Sequence, residues 1–220
     1  MKLYLSSYDP HGISTALPEL VGENKRTAMI ANANDDCADD DRSAMVAREL
    51  ADLTALGLEP FEIDLRDHVG DVPSLRQAIG ESGLVWARGG NAFLLRRSMR
   101  MSGFDQIVHS LVRSGVVYGG YSAGAVVASS TMRGMELVDD AHDIVPPYSA
   151  DVVWDGLGLV PYSVAPHFRS DHPQTKEIDD AVIYWQLHGL PFRTLRDGES
   201  LVIDGDSERI VDTWIQQQTR

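Results

Sequence analysis

Cysteine is almost missing from this 220-residue sequence: Cys37 stands alone, which rules out an intrachain disulfide, and no Cys/His spacing of a structural zinc site occurs. Cys37 sits in the acidic run NDDCADDD, whose carboxylates disfavour a thiolate, so it reads as an unreactive surface thiol. Basic residues are few, 19 against 33 acidic ones, for a formal net charge of −14. That surplus repels phosphate backbones and anionic lipid, so neither nucleic acid nor a membrane surface is an expected partner. Long apolar runs are lacking too: nothing approaches a membrane span, and the start MKLYLSSYDP is too short an apolar run for a signal peptide. The expectation is a cytoplasmic protein. Repeats, low-complexity tracts and linkers are absent, and the length suits one domain covering residues 1–220.

What is present is an alternation of short apolar runs with segments of helical period. Strands are expected at 2–7, 27–31, 59–64, 84–87 and 116–120. Helices are expected at 43–56, with Met45, Val46, Leu50, Leu53 and Leu56 on one face, and at 74–79, 92–101 and 104–112. Strand and helix in turn predict an α/β fold with a largely parallel sheet flanked by helices. An irregular stretch at 133–150 follows, then a strand at 162–165, a helix across 174–188 and three extended pieces, FRTL, SLVIDGD and RIVDTW. The last two read as a closing hairpin turning at 205–208.

The stretch GGYSAGAVVASS places Ser122 between an apolar strand and a helix of small residues, with Gly120 two before it and Gly124 two after. That is the setting of a nucleophile elbow, a sharp turn whose small neighbours let strand and helix approach. An ordinary strand-to-helix turn of a doubly wound fold would look similar. In the elbow reading, the Ala123 N–H at the helix start is free to receive an oxyanion. A serine nucleophile needs a base. Of the seven histidines, His11, His68 and His142 lie in polar loops, while His109 and His188 lie in helices. His167 and His172 remain, in SVAPHFRSDHP; His167 follows an apolar strand and a proline, where a loop leaves the carboxyl edge of a sheet, and is preferred.

Four blocks in order, RGGNAFLL, GGYSAGA, GLVPYSVAPHF and LRDGESLVI, resemble those of the serine peptidases that include aspartyl dipeptidase (dipeptidase E) and, more distantly, cyanophycinase. The resemblance implies a fold akin to the class I glutamine amidotransferases, with Ser122 as nucleophile, His167 as base and the Gly90 N–H as oxyanion donor beside Ala123. For the acid, Asp197, in the late acidic-Gly block after an apolar run, is preferred to the alternative Asp139, in MELVDD within the irregular stretch, because orienting a base requires a fixed acceptor. Substrate contacts are expected among Arg88, Asn91, Arg169 and Lys176. Arg88 stands where the family often has a third glycine; it reads equally as a solvated surface arginine. Lys176 stands in Thr175-Lys176-Glu177, where the family's aspartyl dipeptidases carry arginine, and lysine lacks the planar fork that grips a carboxylate. The expected activity is hydrolysis of short peptides as a dipeptidase or exopeptidase, without metal or cofactor, by a monomer or homodimer. A cyanophycinase-like hydrolase and a non-catalytic peptide-binding or sensor protein are the alternatives.

Overall fold

The computed structural model describes residues 1–8, 14–149 and 151–212. His11 and the Thr213-Trp214 end of the RIVDTW piece lie outside the described residues. In the first half, strand β1 (Lys2–Ser6) is followed by α1 (Ala16–Val21), β2 (Arg26–Ile30), α2 (Asp39–Ala55), β3 (Glu59–Glu62), α3 (Val72–Ile79) and β4 (Leu84–Ala87). Then come α4 (Ala92–Met101), α5 (Phe104–Arg113), β5 (Val117–Tyr121) and α6 (Ala123–Val126). After a long excursion the chain forms β6 (Ser163–Ala165), α7 (Thr175–Leu187), β7 (Phe192–Thr194), β8 (Glu199–Asp204) and β9 (Ser207–Asp212).

Seven strands make the main sheet in the order β3-β2-β4-β5-β1-β8-β9. The first five are parallel, whereas β8 and β9 run antiparallel at one side, so the fold is α/β around a mostly parallel sheet. Strand side chains alternate between two apolar layers because successive Cβ atoms point to opposite faces. Leu3, Leu5, Ala28, Ile30, Val85, Ala87, Leu201 and Ile203 pack into the layer under α3 to α7. Tyr4, Met29, Leu84, Trp86 and Val202 face α1 and α2. Both faces are thus covered, which is why these strands read as continuous apolar runs.

Element limits differ from the sequence expectations for local reasons. Helix α2 starts at Asp39, earlier than 43, with Asp39, Asp40 and Asp41 against the positive end of its dipole. Its buried stripe is Arg42, Val46, Glu49 and Leu53, where the expected face held Met45, Leu50 and Leu56. The two charged members are buried because they pair across elements, Arg42 with Asp35 and Glu49 with Trp86. Helix α3 starts at Val72, capped by Asp71 accepting from Ser74 N–H, and the helix after Ser122 is only four residues long. The hairpin turn is tighter than expected, since β9 already begins at Ser207.

The excursion between α6 and β6 is pinned by buried groups. Arg97, 1% exposed, donates to the carbonyls of Ala141, Asp143 and Asp151. Tyr148 donates to Asp35, and Asp35 and Asp64 both accept from Asn32. Among the described residues no helix is long and apolar enough to cross a membrane.

Candidate active site

The carboxyl edge of the parallel strands gathers Ser7 after β1, Asn32–Asn34 after β2, Arg88 to Gly90 after β4 and Ser122 after β5. Ser122 has φ 50° and ψ −115°, a region L-residues rarely occupy. Glycines on both sides make this turn possible. A Cβ at Gly124 would lie 2.0 Å from the Ala87 carbonyl oxygen, and one at Gly120 would lie 2.9 Å from the Gly124 carbonyl carbon. Strand β5, strand β4 and the start of α6 therefore touch backbone to backbone.

His167 arrives from β6. Pairing of β6 with β7 continues through Leu195 N–H to Ala165 O (2.9 Å) and Phe168 N–H to Leu195 O (3.0 Å), which sets His167 beside Asp197. The imidazole Nδ1–H donates to Asp197 Oδ1 at 2.8 Å, leaving Nε2 to accept from Ser122 Oγ at 3.0 Å. His167 is 2% exposed. Its φ is 60° and that of Arg169 is 50°; with Ser122 these are the positive-φ non-glycine residues of the described chain.

Sequence reasoning did not single out the groups that brace this relay. Ser7 Oγ donates to Asp197 Oδ1 at 2.7 Å and accepts the His167 backbone N–H at 2.8 Å. Ser170 Oγ accepts the Asp197 N–H at 2.8 Å, and Thr175 Oγ1 donates to the His167 carbonyl at 2.5 Å. His172 lies flat on His167, with ring centroids 3.6 Å apart and planes 8° apart. Its Nδ1 accepts the Gln174 N–H at 3.2 Å. A serine at the end of a strand carries no local signal, because its partners are distant in sequence. Of the two candidate bases, the preferred His167 is the one whose Nε2 meets Ser122 Oγ, and His172 is in ring contact with it.

Electrostatics follow from these contacts. Burial pushes the Asp197 carboxyl up, but hydrogen bonds from His167 and Ser7 outweigh it and hold the group below its ordinary value. Burial, then the neighbouring His167, lowers His172. Burial raises Asp139, against the hydrogen bonds it accepts from Ala92 N–H (2.8 Å) and Gln174 Nε2 (3.1 Å). Burial and Asp36 raise the Cys37 thiol.

The remaining candidates are distributed around the relay. Gly89 abuts Ser122, a Cβ on it lying 3.1 Å from Ser122 Cβ, while a Cβ on Gly90 would meet the backbone of Ala33 and the side chain of Asn34. Ala123 opens α6, so its N–H has no intrahelical acceptor. Asn91 caps α4, its Oδ1 accepting from Phe93 and Leu94 N–H while Nδ2 donates to Asp140 O. Arg88 turns inward toward Glu49 and Asn34. Arg169 is exposed, its guanidinium 4.9 Å from the centroid of the Phe168 ring. The Lys176 side chain is 82% exposed and pairs with Asp180. His68, His109 and His188 are bonded elsewhere, to Ser74, Leu157 O and Tyr184 O.

The chain as a whole is similar to known proteins. The model of peptidase family S51 matches residues 7–211. A Streptomyces coelicolor protein named peptidase E is 29% identical over 215 residues, 93% of this chain and 81% of its own length. A Drosophila melanogaster protein named "probable alpha-aspartyl dipeptidase" is 30% identical over 143 residues, 61% of this chain and 55% of its own, so the match spans about half of that relative. A crystal structure of a Listeria monocytogenes EGD-e protein superposes with a TM-score of 0.77 at 22% identity, covering 96% of this chain and 98% of that one. A peptidase from an acI-B1 actinobacterium gives 0.73 at 19% identity, covering 96% and 87%. At these identities the two structures speak for the fold.

Proposed function

Since the chain belongs to peptidase family S51, we propose that it is a serine-type peptidase cleaving short peptides from a free N-terminus, through an acyl-enzyme on Ser122. The observation that carries this is the relay from Ser122 Oγ to His167 (3.0 Å) to Asp197 (2.8 Å), with the serine on a strained turn at the carboxyl edge of the sheet. In the reaction, Ser122 Oγ attacks the scissile carbonyl carbon while its proton passes to His167 Nε2. Asp197 stabilises the imidazolium so formed, and the oxyanion lies against the N–H groups of Ala123 and Gly90. His167 then gives its proton to the leaving amine as the C–N bond breaks. Water attacks the acyl ester by the same route and restores Ser122.

Asp197 is favoured over Asp139 as the acid because it bonds the imidazole, whereas Asp139 accepts one bond on each oxygen from Ala92 N–H and Gln174 and none from His167, with a lone pair left on each. Asp139 stays close enough to feel the His167 charge, and its carboxylate suits a substrate α-ammonium. The names of the relatives, peptidase E and alpha-aspartyl dipeptidase, fit an exopeptidase.

The test is chemical. A small serine-directed fluorophosphonate should add once to the protein, by intact mass, and not at all to Ser122→Ala. Free dipeptides and tripeptides should be cleaved while N-acetylated ones resist. Equal rates on blocked and free peptides would remove the exopeptidase part, and labelling that survives in Ser122→Ala would remove the whole reading.

A further inference from the structure

Arg88 stands one residue before the Gly89–Gly90 link, and its guanidinium points away from solvent, the side chain being 16% exposed. Nε lies 3.5 Å from Glu49 Oε2, and Nη1 donates both to Asn34 Oδ1 and, at 3.1 Å, to the Gly89 carbonyl. Glu49 is itself gripped from the sheet: Oε1 accepts from Trp86 Nε1 at 2.7 Å and Oε2 from the hydroxyl of Tyr121 at 3.2 Å. Tyr121 immediately precedes Ser122. Burial pushes the Glu49 carboxyl up, and Trp86, Arg88 and Tyr121 pull it back, so this charge depends on its partners.

The link that Arg88 touches is flanked by backbone bonds, Arg88 N–H to Ile30 O and Asn91 N–H to Ala33 O, and its own carbonyl accepts from Arg88 Nη1. A peptide between two glycines turns with little steric resistance, and Gly90 sits at φ 146°, open only to glycine. Its surroundings exclude any larger residue, since a Cβ at Gly90 would lie 2.4 Å from the Ala33 carbonyl oxygen. A trans peptide is planar, with the N–H of Gly90 opposed to the C=O of Gly89. Whatever fixes the carbonyl therefore fixes the direction of the N–H.

We propose that Arg88 is a positioning residue for the oxyanion-binding peptide: anchored on Glu49, it donates to the Gly89 carbonyl and so keeps the Gly90 N–H aimed at the developing oxyanion. The inference rests on the reading of Ser122 as nucleophile and Gly90 as donor. A cation on the carbonyl also polarises the peptide, which strengthens its N–H as a donor. The arginine standing in a glycine-rich block thus adds a side-chain hold on the link's carbonyl to the backbone bonds on either side of it.

Arg88→Met is compared with wild type by acylation in single turnover, by KM, and by affinity for a peptide boronic acid, whose serine adduct is tetrahedral. Because that variant leaves Glu49 without its cation, Arg88→Met/Glu49→Gln is measured beside it, glutamine still accepting from Trp86. Both should acylate at least ~100-fold more slowly, the scale of one lost oxyanion donor. KM should stay within about threefold and boronate affinity should fall in step with kcat/KM. Arg88→Lys, which keeps a donor without the fork, should recover part of the loss. A double variant that folds and acylates at the wild-type rate would overturn the proposal. So would a raised KM for peptides with a free carboxylate at unchanged kcat, the mark of a substrate contact. Failure of the underlying reading is separate, because it appears in Ser122→Ala with Arg88 intact.

Discussion

At the scale of single residues, the relay makes Asp197 and Asp139 distinguishable. Asp197→Asn should preserve the fold and slow acylation by about 10³- to 10⁴-fold, because the amide favours the wrong imidazole tautomer. Asp139→Asn should cost far less in acylation and more in KM for peptides with a free amine. Single-turnover rates and KM for both variants check this. The stacked His172 offers a smaller effect: phenylalanine keeps a ring against His167, alanine does not. An aromatic contact is worth about 0.5–1.5 kcal/mol, so His172→Ala should lower kcat by roughly 2- to 10-fold while His172→Phe stays near wild type. What could be read here from sequence was whatever had a local pattern, as Ser122 between its glycines and His167 after a strand and Pro166 do. Ser7 had none, since its two bonds reach 160 and 190 residues along the chain.

At the scale of elements, the same division holds. Strand β4 and helix α4 are found where the sequence predicts them, β4 because all four of its residues are apolar and buried, α4 because Asn91 caps its start and its apolar residues are covered, although it also buries Arg96, Arg97 and Ser98. The face of α2 was hidden, since Arg42 and Glu49 look solvent-bound until their partners on other elements are known. The pairing of β6 with β7 outside the main sheet was likewise beyond any local signal, although both extended pieces were foreseen. The elbow gives this scale its prediction. Gly124→Ala would press a methyl to 2.0 Å from the Ala87 carbonyl oxygen, backbone that has nowhere to go. Overpacking of this kind costs about 1–3 kcal/mol, visible as a lower urea midpoint, and a shift of Ser122 would abolish fluorophosphonate labelling before the fold is lost. An unchanged midpoint with full labelling would mean the β4–β5–α6 contact is looser than the structure has it.

For the molecule as a whole, acid stability depends on a few carboxylates. Asp64 is buried enough to be pushed up, yet bonds from Arg66 and Asn32 bring it down to about 2. A group depressed in the folded state stabilises above its unfolded value, near 3.9, and that contribution fades as pH falls toward its folded value. The stabilisation is on the order of 2 kcal/mol, and Asp197 acts with the same sign. Urea midpoints followed from pH 7 to pH 2 should therefore fall below about pH 4, and Asp64→Asn should flatten that fall while lowering the plateau above it. A midpoint in the variant that drops as steeply as in wild type would place the acid-sensitive groups elsewhere.

Ser7, at the end of β1, braces both the histidine and the aspartate, and β1 itself lies between β5 and β8. A ribosome delivers these partners far apart in time. At about 5–20 residues per second, the 190 positions from Ser7 to Asp197 take roughly ten to forty seconds to synthesise. Once Ser122 has been made, and until Asp197 and β8 follow, the serine exists while its base is absent or has no anchor, and one side of β1 has no strand to bond. A nascent chain is for that time an unfinished sheet with an open edge, in need of shielding from its neighbours. On the proposed function it is also inert toward them, because the relay is complete only once Asp197 has been made and docked against Ser7.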